Sequence, residues 1–324
     1  MRVVFCGTPL FSVPTLKHLL VQADFEIAAV ITQPDRPRSR GQQVSFSPMK
    51  ETAIAAGIPV HQPEKIRAPE VQELLQKLAP DVIVIIAYGQ IIPARLLPIP
   101  KLGWINLHAS LLPKYRGAAP INWAIVNGET RTGVTSMRID AGMDTGEILL
   151  QKEMEIGPAE TAPELAARMS ELGAPLMAET LRGLAAGTII RRPQAHEHAT
   201  SAPLLKREDG RIDWSRPAQK IFNRIRGFAP WPGAYTSFRG QTCHIGGEPA
   251  SKDLGEQGPA AGEAATPGSL VVQKNRPKNE VLVRCGGATY LRLLSVKLEG
   301  RKQVSAAEFV NGAHLLTSEH FGES

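Results

Sequence analysis

Short, unbroken apolar runs alternate with stretches of helical period through the first half of the chain. Runs at 2–6, 26–32, 81–87 and 103–108 predict buried strands, and a shorter one at 58–60 predicts another. The segments 9–21, 47–56 and 69–78 predict helices between them. Strands that lack polar alternation and are separated by helices imply a doubly wound α/β domain, a mostly parallel sheet covered on both faces. Runs at 134–139 and 147–156 flank a Gly-rich turn and can add an antiparallel pair. Thr161 and Glu164 have the spacing of a capping box, which starts a helix running to about residue 186.

The period stops at 187–207, where Arg-Arg-Pro and His-Glu-His-Ala-Thr-Ser-Ala-Pro read as an extended linker. Beyond it, one helix at 216–226 precedes short strands near 234–239, 242–246, 268–273, 280–285 and 288–296, the pattern of a small OB-like β-barrel. The stretch 251–267 reads as a mobile loop. Ser305 with Glu308 caps a last helix that Gly312 can end. The expected division is a catalytic domain at 1–189, a linker at 190–207 and a C-terminal domain at 208–324.

A length of 324 residues favours two cores over one. The strongest apolar run, 82–87, is far too short to cross a bilayer, and the opening reads as a strand and turn, not a leader. Cys6, Cys243 and Cys285 form no C-x-x-C pair, which argues against a disulfide framework or zinc site and fits a reducing cytoplasm; Cys6 is expected to pack in the core. Charge divides unevenly. Residues 1–190 carry 18 Lys/Arg and 18 Asp/Glu, whereas 191–324 carry 19 and 13, so the whole excess of +6 lies in the last part. Such asymmetry fits catalysis in a neutral first domain and capture of a polyanion by a basic second one, or else a basic solvated surface.

Ligands of an open parallel sheet bind beyond the carboxyl ends of its strands. Asn106 and His108 lie at such an end and, two residues apart, share one face. An amide that donates to a developing oxyanion and an imidazole that accepts a proton suit attack by an amine on a carbonyl. By itself N-x-H is also the pattern of a partly buried histidine satisfied by a backbone carbonyl. Asp144 sits in a Gly-flanked turn, from which a carboxylate can orient His108; alone, Asp-Thr-Gly is an ordinary turn. Gly7-Thr8-Pro9 lacks the spacing of a dinucleotide loop. His196-Glu197-His198 reads as solvent-facing before it reads as a metal site, and Trp231, between two prolines, as a packing anchor or else a ring for nucleic-acid stacking.

Taken together, WINLHASLLPKYRGAAP at 104–120 and DAGMDTGEILL at 140–150 resemble the 10-formyltetrahydrofolate-dependent formyltransferases. The likeness extends through FCGTPLFSVPTL at the start, TQPDRPRSRG at 32–41, IAYGQIIP at 86–93, EDGRIDW at 208–214 and IRGFAPWPGAY at 225–235. The opening and the TQPDRP loop are similar to the branch that acts on methionyl initiator tRNA in translation initiation. The resemblance implies that Asn106, His108 and Asp144 are catalytic. It implies that 10-formyltetrahydrofolate, without a metal, is bound around Ala87, Tyr88, Gly89, Ser110, Leu111, Leu112 and Pro113, whose apolar walls and free carbonyls suit a pterin. Ser110 is read as positional, since no base accompanies it. For the tRNA it implies a loop carrying Arg36, Arg38 and Arg40, supported by Lys50. Lys206, Arg207, Lys220, Arg224, Arg226 and, less centrally, Arg239 are candidates for a phosphate-tracking stripe. The expected enzyme is cytoplasmic, monomeric and not bound to a membrane.

Overall fold

Val3, Val4, Phe5 and Cys6 have no exposed surface and form the centre of β1 (Arg2–Gly7). A strand buried on both faces needs paired edges and covered faces, and the following elements supply them. They are α1 (Val13–Leu20), β2 (Glu26–Ile31), the short pair β3 (Arg36–Arg38) and β4 (Gln43–Ser45), α2 (Pro48–Ala55), β5 (Val60–His61), α3 (Pro69–Leu78), β6 (Val82–Ile86) and β7 (Trp104–His108). After them come α4 (Pro120–Asn127), β8 (Arg131–Arg138), β9 (Ile148–Glu155) and α5 (Ala162–Ala186). The computed structural model describes residues 1–38, 43–250, 266–273, 280–315 and 319–322. It divides into two units. The first is Met1–Ile121, Arg131–Ile156 and Glu164–Pro203; the second is Asn122–Thr130, Gly157–Pro163 and Leu204–Ser324.

The first unit holds a seven-stranded sheet in the order β5-β2-β1-β6-β7-β8-β9. Pairing is parallel from β5 to β7, and β8 and β9 add the antiparallel edge that the sequence predicts. The chain winds outward from β1 through β2 to β5, then returns on the other side at β6. The order therefore reverses between β1 and β6, and in such sheets the crevice at that point receives ligands. Local chemistry sets the ends of the helices. Ser47 accepts the amide N–H of Lys50 at 3.2 Å and Pro48 opens α2, while α3 stops at Ala79 in a left-handed conformation.

Two elements here were not foreseen. The arginine-bearing stretch read as a loop holds β3, which pairs with β4, and α4 has only eight residues, too few for a helical period to show. Residues 190–203, read as a linker, instead pack on the first unit. Arg192 and Ile148 exchange backbone hydrogen bonds at 2.8 and 2.9 Å. Arg116 donates its N–H to Thr200 O at 2.8 Å and accepts from Ala202 N–H at 2.7 Å. Those partners are remote in sequence, so no local pattern announces them.

In the second unit α6 (Ala218–Gly227) precedes β10 (Tyr235–Phe238), β11 (Gln241–Pro249), β12 (Leu270–Gln273), β13 (Glu280–Arg284), β14 (Tyr290–Leu298), β15 (Val304–Ser305) and α7 (Ala306–Ala313). The sheet is antiparallel, in the order β10-β11-β14-β13-β12 with β15 on β14. Its core gathers Trp214, Phe238, Phe309 and Phe321, with Trp214 stacked on Phe321 at 5.7 Å. Ser305 and Glu308 form the expected capping box. The helix runs past Gly312 and ends at His314, which takes the left-handed turn instead. Residues 251–265 of the expected loop lie outside the described residues.

Candidate active site

β7 pairs Asn106 with Ile85 of β6 on one side and with Met137 of β8 on the other, so the end of β7 is held on both edges. His108 is only 6% exposed. Its Nε2 lies 2.9 Å from Tyr115 O. A carbonyl can only accept, so Nε2 carries the hydrogen and Nδ1 is the nitrogen that faces Asp144, whose Oδ2 is 3.6 Å away. The backbone-carbonyl partner open from sequence is thus present, alongside the carboxylate. Asn106 is half-buried, and its side-chain amide has no hydrogen bond to another described residue.

Asp144 is held by backbone groups. Its Oδ2 accepts the Gly117 N–H at 2.9 Å, and its backbone has φ 52°, a left-handed value uncommon outside glycine. Asp140 closes the same turn through Gly142 N–H at 3.0 Å and Thr145 Oγ1 at 2.7 Å. Gly146 is required here, because a Cβ at that position would lie 1.8 Å from Arg138 O. Tyr115 and Gly117, which hold the two ends of the pair, were not singled out from sequence. They act through backbone groups, which residue type does not reveal.

The predicted folate segments separate into two environments. Ala87, Tyr88 and Gly89 line a cavity of about 410 Å³ with Thr8, Gln33 and Asp35, at the reversal between β1 and β6. Ala87 and Gly89 both have positive φ, and the Tyr88 ring lies in the core, where burial pushes its phenol up. Ser110, Leu111, Leu112 and Pro113 are not among the residues lining that cavity. Their carbonyls are not free as expected. Ser110 O accepts from Thr135 Oγ1 at 2.6 Å, Leu111 O from Lys114 N–H at 3.1 Å, Leu112 O from Gln151 Nε2 at 2.9 Å and Pro113 O from Thr200 N–H at 3.4 Å. The Ser110 hydroxyl donates to Lys114 O at 2.6 Å.

The predicted cations differ as much. Lys50 is 14% exposed at its side chain and donates to Asp35 and to Gln62 Oε1 at 2.7 Å, a different use from phosphate contact. The Lys50 hydrogen bond first, then that of Gln62, holds the Asp35 carboxyl below its ordinary value. Arg226 is buried: its Nη1 donates to Gly157 O and Glu160 O at 3.1 and 3.0 Å, and its Nε to Asn223 Oδ1 at 3.1 Å. Arg224 is half-buried on the Phe228 ring and donates to Asp209 O, and Arg239 pairs with Glu319. Lys206, Arg207 and Lys220 are exposed. Arg36 and Arg38 lie on β3, and Arg40 lies outside the described residues.

Trp231, expected to anchor the core, is instead 55% exposed, and the core's aromatic rings include those of Trp214, Phe238, Phe309 and Phe321. It borders a groove of about 620 Å³ with Arg207, Tyr235, His244 and Lys297. Burial first, then the cations of Lys297 and Arg207, holds the His244 imidazole below its ordinary value. His196 and His198 are exposed, and Arg116 reaches His196 Nδ1 at 3.2 Å. All three cysteines are free and buried. Among the described residues no group of three or more His, Cys, Asp or Glu is placed to hold a metal ion, and no helix is long and apolar enough to cross a membrane.

The formyl transferase profile matches residues 1–181, and that of the formyl transferase C-terminal domain matches 204–314. The chain belongs to the formyl transferase family. Among relatives, it is 54% identical to the methionyl-tRNA formyltransferase of Solibacter usitatus, covering 100% of this chain and 99% of the relative. It is 50% identical to that of Koribacter versatilis, covering 96% of each. In three dimensions it is similar to an N-formyltransferase from Helicobacter canadensis solved with folinic acid and dTDP-3-aminofucose. The TM-score is 0.62 at 17% identity, over 90% of this chain and 98% of that one, a likeness of fold. As a formyl transferase the chain combines a mostly parallel sheet with a C-terminal antiparallel sheet.

Proposed function

We propose that this formyl transferase moves the formyl group of 10-formyltetrahydrofolate to the α-amine of methionyl initiator tRNA, giving N-formylmethionyl-tRNA for translation initiation. The observation that carries the reading is the His108–Asp144 pair beside Asn106 at the end of β7, in a chain similar over its whole length to methionyl-tRNA formyltransferases. The amine lone pair forms the new bond to the formyl carbon and the bond from that carbon to N10 breaks. The proton lost by the amine goes to N10 of the departing tetrahydrofolate. Asn106 offers its N–H groups to the formyl oxygen as negative charge builds there. His108 holds the proton in transit at Nδ1, and the carboxylate 3.6 Å away stabilises the positive charge this places on the ring.

The folate is taken along Ala87, Tyr88 and Gly89. The cavity there has the size of a small-molecule site, and Gln33, Thr8 and Asp35 offer hydrogen-bonding groups to a pterin edge. Ser110, Leu111, Leu112 and Pro113 shape the neighbouring wall rather than binding through free carbonyls. For the tRNA, exposed Lys206, Arg207 and Lys220 supply cations, and Trp231 and Tyr235 supply ring faces beside Arg207 and Lys297. Arg36 and Arg38, on β3, with Arg40 two residues further along the sequence, are a second set of cations for the acceptor stem. The enzyme is cytoplasmic and monomeric on this reading; a dimer in light scattering would count against the latter.

The deciding experiment is formylation with 10-formyltetrahydrofolate of methionyl initiator tRNA, beside methionyl elongator tRNA and an amino sugar nucleotide. Selective formylation of the initiator supports the proposal. Activity on the sugar nucleotide alone would overturn the acceptor and leave the transfer chemistry standing.

A further inference from the structure

Gln194 lies in the segment that sequence marks as a linker, yet it is only 5% exposed and its side chain has no unused hydrogen-bonding group. Nε2 donates to the carbonyls of Asp144 and Gly146, both at 2.8 Å. Oε1 accepts from Nε and Nη2 of Arg116 at 3.0 and 2.7 Å. Arg116 stands between Tyr115, whose carbonyl holds His108 Nε2, and Gly117, whose N–H holds Asp144 Oδ2. One amide therefore joins the backbone of the Asp144 turn to the loop that anchors both members of the His108–Asp144 pair.

The platform under Gln194 is itself fixed. Arg192 is paired with Ile148, Thr200 Oγ1 accepts the Tyr115 N–H at 2.8 Å, and Thr200 and Ala202 pair with Arg116. Asp144 has the opposite need. A non-glycine residue at φ 52° persists only where its surroundings impose the conformation. The carbonyls on which that turn is hung, those of Asp144 and Gly146, are the two that Gln194 holds.

We infer that Gln194 is a positioning residue of the transfer reaction, setting the Asp144 carboxylate against His108 by clamping the Asp144 turn to Arg116. The inference rests on the roles proposed above for His108 and Asp144. It separates cleanly from a bland part as a buried polar side chain. Gln194→Glu keeps the shape and the acceptor for Arg116, but replaces the donor edge with an oxygen that faces two carbonyl oxygens. Gln194→Met keeps approximate volume and removes both edges.

The test is steady-state kinetics of formyl transfer to methionyl-tRNA for Gln194→Glu, Gln194→Met, Asp144→Asn and the two double variants, each first shown folded by thermal melting. Both Gln194 variants are expected to lower kcat by about tenfold or more, with each KM within about twofold, because misplacement costs rate more than binding. In the Asp144→Asn background the same changes are expected to cost less than about twofold, since no carboxylate remains to be placed. Should one Gln194 variant not fold, the other carries the comparison. Unchanged kcat in a folded Gln194 variant, or losses that multiply in the double variants, overturns the positioning role while the reading of the site stands. Wild-type turnover in Asp144→Asn would overturn that reading and the inference with it.

Discussion

Nδ1 of His108 and Oδ2 of Asp144 stand 3.6 Å apart, one at the end of β7 and the other in the turn that leads to β9. The gap is an ion-pair separation, longer than a hydrogen bond, so neither group is located by the other. Tyr115 O fixes the imidazole and Gly117 N–H fixes the carboxylate, and both belong to one short loop after β7. One backbone segment thus touches both members of the pair.

From that relationship, His108→Ala and Asp144→Ala are each expected to lower kcat by about 10²–10⁴-fold, the range of a lost proton-transfer group. Asn106→Ala is expected to cost about 10²–10³-fold, as for a lost oxyanion donor. Affinity for charged tRNA, read by filter binding, should stay within about twofold, since none of the three is a phosphate cation. Near-normal turnover in the His108 variant would remove it from the chemistry.

Arg226 is expected to govern stability, not tRNA affinity. Its guanidinium satisfies Gly157 O, Glu160 O and Asn223 Oδ1 in a buried place, and Arg226→Met leaves all three without that donor. Urea melts should show a loss of about 2–4 kcal/mol. A variant as stable as the parent but weaker on tRNA would return Arg226 to the phosphate-binding set.

Salt dependence distinguishes the cations. Arg207→Ala should reduce the slope of log affinity for tRNA against log salt by about one, as each phosphate contact contributes. Lys50→Ala should leave that slope unchanged, because its ammonium is committed to Asp35 and Gln62. Equal changes in both would mean that the Lys50 pair opens when RNA binds.

The Asp35–Lys50 pair should also be visible in acid. Lys50 and Gln62 depress the folded Asp35 value, so its contribution to stability is complete above the unfolded value of about 3.9 and drains as pH falls through the lower folded one. The Tm difference between the parent and Asp35→Asn should therefore hold steady from neutrality to about pH 5 and close below about pH 4. A difference that persists undiminished at pH 3 would show that Asp35 acts by shape, not charge.

The strands of the first unit were legible because burial on two faces leaves an unbroken apolar run, a property of consecutive residues. The capping box at Ser305 and Glu308 was legible for the same reason, since a cap involves neighbours only. Asn106, His108 and Asp144 could be named as candidates from their segments, and the shared face of Asn106 and His108 followed from alternation. What those residues touch could not. That the His108 ring rests on Tyr115 O, that Arg226 turns inward while Arg207 stays out, and that Lys50 is taken by Asp35 depend on which remote atoms arrive alongside. The same holds for Gln194, a polar residue in an aperiodic stretch whose four hydrogen bonds run to three residues in two other loops. Sequence by itself determined the alternation of elements, their caps and the chemical types at the end of β7, because each is written in local spacing. Tertiary structure alone decided which charges are free, which carbonyls are occupied and how Asp144 is held, because a buried polar group must find its partner wherever the fold brings one.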